Sequence, residues 1–173
     1  MNGQEDADLV RAFKNGDEEA FDRIFEKYHV PIYSICYRFT RNDADARELT
    51  QDVFIKVHRN LRKFNERSKF FTWVYRITVN TCISFKRRNR ALPPFLEAEP
   101  RRDPVGQRVR LKVAIDDALR RLPDRQRMAF ILRHYQGYTF DEIGDIMGIT
   151  TGAAKANHYQ AVRKLRNYLK GWL

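Results

Sequence analysis

Apolar residues recur at three- and four-residue spacing along most of the chain, and no run of alternating β-branched residues interrupts them. That period belongs to helices that pack through one face, so the pattern predicts an all-α fold. A short amphipathic helix is expected over 8–13, broken at Asn15-Gly16. Asp17 is placed to cap the next helix, in which Phe21, Ile24, Phe25 and Tyr28 form an i, i+3, i+4, i+7 stripe. Pro31 is expected to interrupt or kink that helix, with apolar residues continuing from Ile32 to Phe39. A longer helix follows from about Ala44 to Leu61, with Leu49, Val53, Val57 and Leu61 on one face and Glu48, Asp52, Lys56 and Arg59 on another. A polar loop over 62–69 then leads to Phe70 and a further helix ending near Arg90.

Here the pattern breaks. Pro93, Pro94, Pro100 and Pro104 fall close together among Glu97, Glu99, Arg101, Arg102 and Asp103. Prolines remove helix donors and this stretch has little to bury, so a flexible linker is predicted over 92–108. It separates two small helical domains, 1–91 and 109–173. Helical periodicity resumes near Val109 and stops at Leu122-Pro123, where Pro123 is suited to the first position of a helix over 125–135. Gln136-Gly137 ends that helix.

The last third carries a helix-turn-helix pattern. Thr139 and Glu142 have the spacing of a capping box, and Ile143, Ile146 and Met147 give a short helix one apolar face. Gly148 suits the left-handed residue that ends a helix, and Thr150 or Thr151 suits the cap of the next. Two helices so joined place the second where it can enter a DNA major groove. Along that second helix Ala154, His158, Ala161, Leu165, Tyr168 or Leu169, and Trp172 form the inward stripe. Lys155, Ala156, Tyr159, Gln160 and Arg163 then face outward, where they suit base edges and phosphates.

Charge supports the same direction. The 173 residues hold 33 Lys+Arg against 22 Asp+Glu, a formal net charge of +11, which favours phosphate backbones or an acidic protein surface as partner. No window of about 18 apolar residues is present to span a bilayer, so membrane insertion is not expected. The polar, acidic start Met1-Asn2-Gly3-Gln4-Glu5-Asp6 is unlike a secretion signal, and Cys36 and Cys82 are too few for a disulfide framework. A reduced, cytoplasmic protein is expected. Zinc-ligand spacing, a nucleophile elbow and a glycine-rich phosphate loop are all lacking, so neither enzymatic activity nor a cofactor or metal is expected.

A second informative stretch lies upstream. Arg76, Asn80, Ser84 and Arg87 are spaced by four, four and three, so they share one face of the helix that begins at Phe70. Trp73 stands one turn before Arg76, with Phe64, Phe70 and Phe71 close by. Cations beside rings suit single-stranded nucleic acid, whose backbone they track and whose bases they stack, although aromatics at helix starts are more often core.

In this order, Gln51-Asp52-Val53-Phe54-Ile55-Lys56-Val57, Phe71-Thr72-Trp73-Val74-Tyr75-Arg76-Ile77-Thr78-Val79-Asn80, Ala118-Leu119-Arg120-Arg121-Leu122-Pro123 and the Glu142-Ile143-Gly144 helix-turn-helix resemble bacterial sigma factors of the extracytoplasmic-function group. The resemblance implies a promoter-specificity subunit of RNA polymerase, serving a stress or envelope response. Core polymerase binding, through the β′ clamp helices, is implied for Glu48, Gln51, Asp52, Phe54 and Lys56, and the second domain is implied to meet the β-flap. Recognition of the −10 element as melted strand is implied for Phe64, Lys69, Phe70, Trp73, Arg76, Asn80 and Arg87. Recognition of the −35 duplex is implied for Thr151, Gly152, Lys155, Ala156, Tyr159, Gln160 and Arg163. An anti-sigma factor is a further implied partner. One departure is visible: relatives often carry Gly-Thr-Val-Lys-Ser-Arg-Leu where this chain has Gly152-Ala153-Ala154-Lys155-Ala156-Asn157-His158, so small residues and a histidine replace larger ones. The alternative class is a stand-alone helix-turn-helix regulator, which has no need of a strand-reading helix over 70–80.

Overall fold

The computed structural model describes residues 3–89 and 107–170, and every regular element among them is a helix. In chain order these are α1 Gly3–Lys14, α2 Glu19–Thr40, α3 Asp43–Leu61, α4 Phe70–Asn89, α5 Gln107–Arg120, α6 Asp124–His134, α7 Phe140–Met147 and α8 Thr151–Tyr168. The expected linker lies outside the described residues as far as 106, and its last two positions belong to α5. Trp172 also lies outside them. No described helix is long and apolar enough to cross a membrane.

Three local expectations need correction. The first helix starts at Gly3 rather than near Asp8, because its polar beginning has partners on α2. Asp6 is only 3% exposed and accepts hydrogen bonds from the Tyr28 hydroxyl at 2.8 Å and Lys27 Nζ at 2.7 Å. Asp17 does not cap α2 with its side chain. The N-cap is Glu18, which has no side-chain cap bond, and the turn is closed by backbone, Asp17 N–H donating to Ala12 O and Ala20 N–H to Asp17 O. Pro31 does not interrupt α2. It removes one intrahelical bond, and the flanking Ile24, Tyr28, Ile32 and Ile35, all buried, hold the helix continuous through it.

Other boundaries follow from caps. Asn42, in extended conformation, accepts from Asp45 N–H and starts α3. Pro123 stands at the N-cap of α6, one position before the helix proper, with ψ 144°. The helix-turn-helix forms atom for atom as its sequence pattern implies. Thr139 Oγ1 accepts from Glu142 N–H while the Glu142 carboxylate accepts from Thr139 N–H at 2.8 Å. Gly148, at φ 63°, donates to Gly144 O and ends α7, and Thr150, not Thr151, caps α8 by accepting from Ala153 N–H.

Helices α1–α4 enclose a core of Phe13, Ile24, Tyr28, Ile32, Ile35, Phe39, Leu49, Val53, Leu61 and Tyr75, all essentially inaccessible. The thiols of Cys36 on α2 and Cys82 on α4 meet inside it at 3.8 Å. Burial of each such side chain stabilises by about 1.5–3 kcal/mol. The same apolar cluster continues into the second unit through Met128, Ile131, Leu132, Tyr138, Ile143 and Ile146. A smaller one, with Ala118, Leu119, Leu122, Ala161 and Leu165, joins α5 to α8.

The two units therefore pack against each other. Tyr138 stacks on Phe71 (6.0 Å between ring centroids, 12° between planes) and meets Tyr75 edge-on. Burial raises the pKa of both tyrosines, so they remain neutral phenols. Arg127, nearly inaccessible, donates to Phe39 O at 2.8 Å and to Leu122 O. Ion pairs Arg41–Asp116 and Lys86–Asp124 and the Arg38 guanidinium over the Tyr135 ring complete the contact.

Candidate polymerase and nucleic-acid interface

Three surfaces collect the residues of interest. The first is an apolar groove of about 810 Å³ between α2 and α3, walled by Phe21, Phe25, Val30, Tyr33, Gln51, Phe54 and Ile55 among others. Val30 is 61% exposed, and Phe25 and Ile55 are also open to solvent. Gln51 and Phe54 lie in its wall, whereas Glu48, Asp52 and Lys56 stand on α3 outside it. Lys56 reaches α4 and donates to Thr81 Oγ1 at 3.0 Å. Val30 and Ile55 were not singled out as groove residues from the sequence, and Phe25, expected on the packing stripe of α2, is exposed in the groove instead. Their signal was available: Val30 and Ile55 are large apolar residues off the buried stripes of α2 and α3.

The second surface is a concavity of about 460 Å³ formed by loop 64–69 and the start of α4. Phe64, Asn65, Arg67, Ser68, Lys69, Trp73 and Arg76 line it. Phe64 and Phe70 are 6% and 5% exposed and form one ring cluster with Trp73, with centroids 5.0–5.8 Å apart. In this state, then, Phe64 and Phe70 are core rings, and Trp73, half-buried, is the ring nearest solvent. Asn80 and Arg87 are exposed farther along α4 and are not part of the concavity. Phe71 and Thr72 of α4 complete that side, and the other unit adds Glu142 and Asp145 of α7. Arg76 donates twice to Asp145 O, at 2.6 and 3.2 Å. The family resemblance implies base capture in the loop from Phe64 to Phe70, but Asn65, Arg67 and Ser68 were not singled out within it, and nothing in their spacing marks them.

The third surface is the outer face of α8, which carries no acidic residue. Tyr159 is 64% exposed, and Lys155, Ala156 and Arg163 are open beside it, with Gln160 half-buried. Gly152 is exposed, whereas the Thr151 hydroxyl already donates to Asp141 at 2.6 Å. Ala154, Ala161 and Leu165 are buried as the inward stripe requires, and of the two candidates for its next position Leu169 packs against the core while Tyr168 is exposed. The small Ala154 and the close-packed Gly144 let α8 approach α7. A Cβ on Gly144 would lie 2.9 Å from Ile149 O. His158 is half-buried beside Phe140 and Phe130 and faces His134 of α6.

Comparison with known proteins matches this arrangement to one family. The family model of sigma-70 region 2 matches residues 24–92, and that of sigma-70 region 4 matches residues 112–165. The chain is 31% identical over 166 residues to the ECF RNA polymerase sigma factor SigM of Mycobacterium tuberculosis, covering 95% of this chain and 84% of that protein. It belongs to the extracytoplasmic-function group of the sigma-70 family. Members of this family direct RNA polymerase and are not catalysts. The fold agrees with two solved relatives. CnrH, in its complex with the cytosolic domain of CnrY, superposes with TM-score 0.74 at 22% identity, covering 96% of this chain and 98% of that one. The sigma factor RpoE of Bartonella quintana, in complex with the anti-sigma factor NepR, superposes with TM-score 0.66 at 19% identity, covering 87% and 96%. For this sigma factor the matched region 2 spans most of α2, all of α3 and α4, and so most of the first two surfaces, Phe21 and the α7 residues Glu142 and Asp145 excepted. Region 4 spans α6, α7, the greater part of α5 and most of α8, and so the third.

Proposed function

We propose that this sigma factor acts in the cytoplasm as a promoter-specificity subunit, with domains 1–91 and 109–173 reading two promoter elements. The α2–α3 groove, with Gln51 and Phe54 in its wall and Glu48, Asp52 and Lys56 beside it, seats the clamp helices of core polymerase. An exposed apolar groove of this size is unusual on a chain that acts alone. The loop–α4 concavity takes an extruded base of the −10 strand, since a base to be read must leave the stack. Trp73 supplies the stacking face there, with Lys69 and Arg76 at the phosphates; Phe64 and Phe70 support Trp73, and Asn80 and Arg87 continue the track along α4. The exposed face of α8, from Gly152 and Lys155 through Ala156, Tyr159 and Gln160 to Arg163, reads the −35 duplex, with Thr151 at its start.

The concavity beside Trp73 and Arg76 carries this reading, because a regulator confined to duplex DNA has no use for it. An anti-sigma factor, as found on the Bartonella quintana relative, is the expected regulator. Run-off transcription with purified core polymerase and a genomic template library is the test. Promoter-dependent products are expected, and their absence overturns the reading. Asn80→Ala should impair opening or −10 selectivity and leave core binding intact. Exchange of Lys155 or Gln160 should shift base preference only at −35.

A further inference from the structure

We propose that His134 and His158 form a two-imidazole site for a borderline divalent transition-metal ion, of the zinc and copper class, bridging α6 and α8. The Nε2 atoms of the two rings face each other at 2.9 Å, and the rings stack with centroids 5.0 Å apart at 21°. Two neutral imidazoles approach so closely only as donor and acceptor, one Nε2–H directed at the other's lone pair. The two Nε2 atoms therefore stand head-on between the helices, each within reach of one shared ion.

The rings are held in place by apolar neighbours. Phe130 lies against His134 at 4.3 Å, and Phe140 meets His158 edge-on at 5.2 Å. Burial lowers the pKa of both histidines, and Arg133 and the mutual proximity of the rings lower that of His158 further. Both are neutral at neutral pH, which is the ligating form. His134 is the last residue of α6, and the negative end of a helix favours a cation. Arg133 opposes it, so the site is one of moderate affinity.

Tetrahedral zinc at about 2.0–2.1 Å from each nitrogen separates two imidazole nitrogens by roughly 3.3 Å. The nitrogens need to part by a few tenths of an ångström, and each ring has to turn about χ2 so that the two lone pairs meet at the tetrahedral angle rather than head-on. On binding, the donor ring moves its proton from Nε2 to Nδ1, so both Nε2 lone pairs face the metal without net loss of a proton. Among the described residues no third histidine, cysteine or carboxylate joins the group, so water completes the coordination. The metal would clip the recognition helix to the helix that carries Arg127 into the first unit. The pair is formed by residues 24 apart, which is why no sequence spacing marks it. Nothing in the site depends on what α8 reads.

The test uses the full chain, freed of metal with a chelator and titrated with Zn²⁺ alone. Isothermal titration should show one event, and side-chain nitrogen NMR should show shifts at Nε2 of His134 and His158. His134→Gln and His158→Gln should each weaken that event at least about tenfold, whereas the double variant His29→Gln/His58→Gln should not change it. Unchanged zinc affinity in both single variants overturns the proposal. Should either variant fold poorly, the NMR shifts in the unaltered chain decide: zinc-induced change confined to other nitrogens overturns it equally.

Discussion

Substitution at Gly144 separates helix propensity from close packing by sign. A Cβ there would lie 2.9 Å from Ile149 O, 3.3 Å from Thr151 N and 3.4 Å from the carbonyl carbon of Thr150. All three are backbone atoms of the turn between α7 and α8, so no side chain can swing away and relief requires α8 to shift. Propensity alone favours alanine over glycine in a helix by up to about 1 kcal/mol. Gly152, in the first turn of α8, has only Thr150 Oγ1 within 4 Å, at 3.9 Å, and its φ is unexceptional. Gly152→Ala should therefore stabilise by several tenths of a kcal/mol, up to about 1 kcal/mol. Gly144→Ala should instead lose stability, because its Cβ meets backbone atoms that yield only if α8 shifts, and that outweighs the propensity. Gly144→Val adds two further carbons against the same backbone and should cost about 2–3 kcal/mol. Urea unfolding followed by far-UV circular dichroism measures all three against the parent. A Gly144→Val or Gly144→Ala variant as stable as the parent would refute the packing account.

Asp6→Ala should destabilise by about 1–3 kcal/mol in urea unfolding, because it leaves the buried Tyr28 hydroxyl without its acceptor. Adding Tyr28→Phe should recover part of that loss, and strict additivity would show that the bond contributes nothing. Acidification should lower thermal stability through His134 and His158. Their folded pKa values are depressed by burial and Arg133, so the unfolded chain binds more protons as pH falls below about 6.5. The stability is present above that pH and lost below it, and His134→Gln/His158→Gln should flatten the melting temperature between pH 7.5 and 5.5 to about the slope set by the other groups. Arg127→Met should cost about 1.5–3 kcal/mol by leaving the Phe39 and Leu122 carbonyls without their donor, and should enlarge the radius of gyration in small-angle scattering; an unchanged radius would mean the apolar contact alone holds the units together.

Local structure was legible wherever a side chain acts within one turn of its own position. Thr139, Glu142, Gly148 and Thr150 each do the work their spacing implies, because a cap is a bond between near neighbours. The stripes of α3 and α8 likewise come out buried at Leu49, Val53, Val57, Ala154 and Ala161. Pro31 and Asp17 were misread because tertiary packing and backbone turns outweigh a local preference of about 1–3 kcal/mol. What spacing cannot carry is contact between distant segments. Arg127 lies 88 residues from Phe39, Arg76 lies 69 from Asp145, and His134 lies 24 from His158. The two-domain organisation could be read from the prolines, but the way the domains meet could not.

That meeting bears directly on the −10 face. Arg76 is one of the cations assigned to the melted strand, yet its guanidinium is committed to Asp145 O, and α7 supplies Glu142 and Asp145 to the wall of the concavity beside Trp73. Two acidic residues in the wall of the proposed strand site disfavour a polyanion there by charge as well as by space. The outer face of α8 is not similarly engaged: Lys155, Tyr159 and Arg163 remain open. On the proposed reading of this face, strand capture competes with the packing of α7 on α4. The free energy of separating the units subtracts from the apparent affinity for the −10 strand, tenfold for every 1.4 kcal/mol or so. Variants that loosen the contact far from the strand should consequently bind it more tightly. Arg127→Met is the sharpest case, since Arg127 touches neither Trp73 nor Arg76 and holds α6 to the end of α2. Fluorescence anisotropy with a −10 single strand should show tighter binding by this variant than by the parent. Equal binding would mean that the units separate freely before the strand arrives.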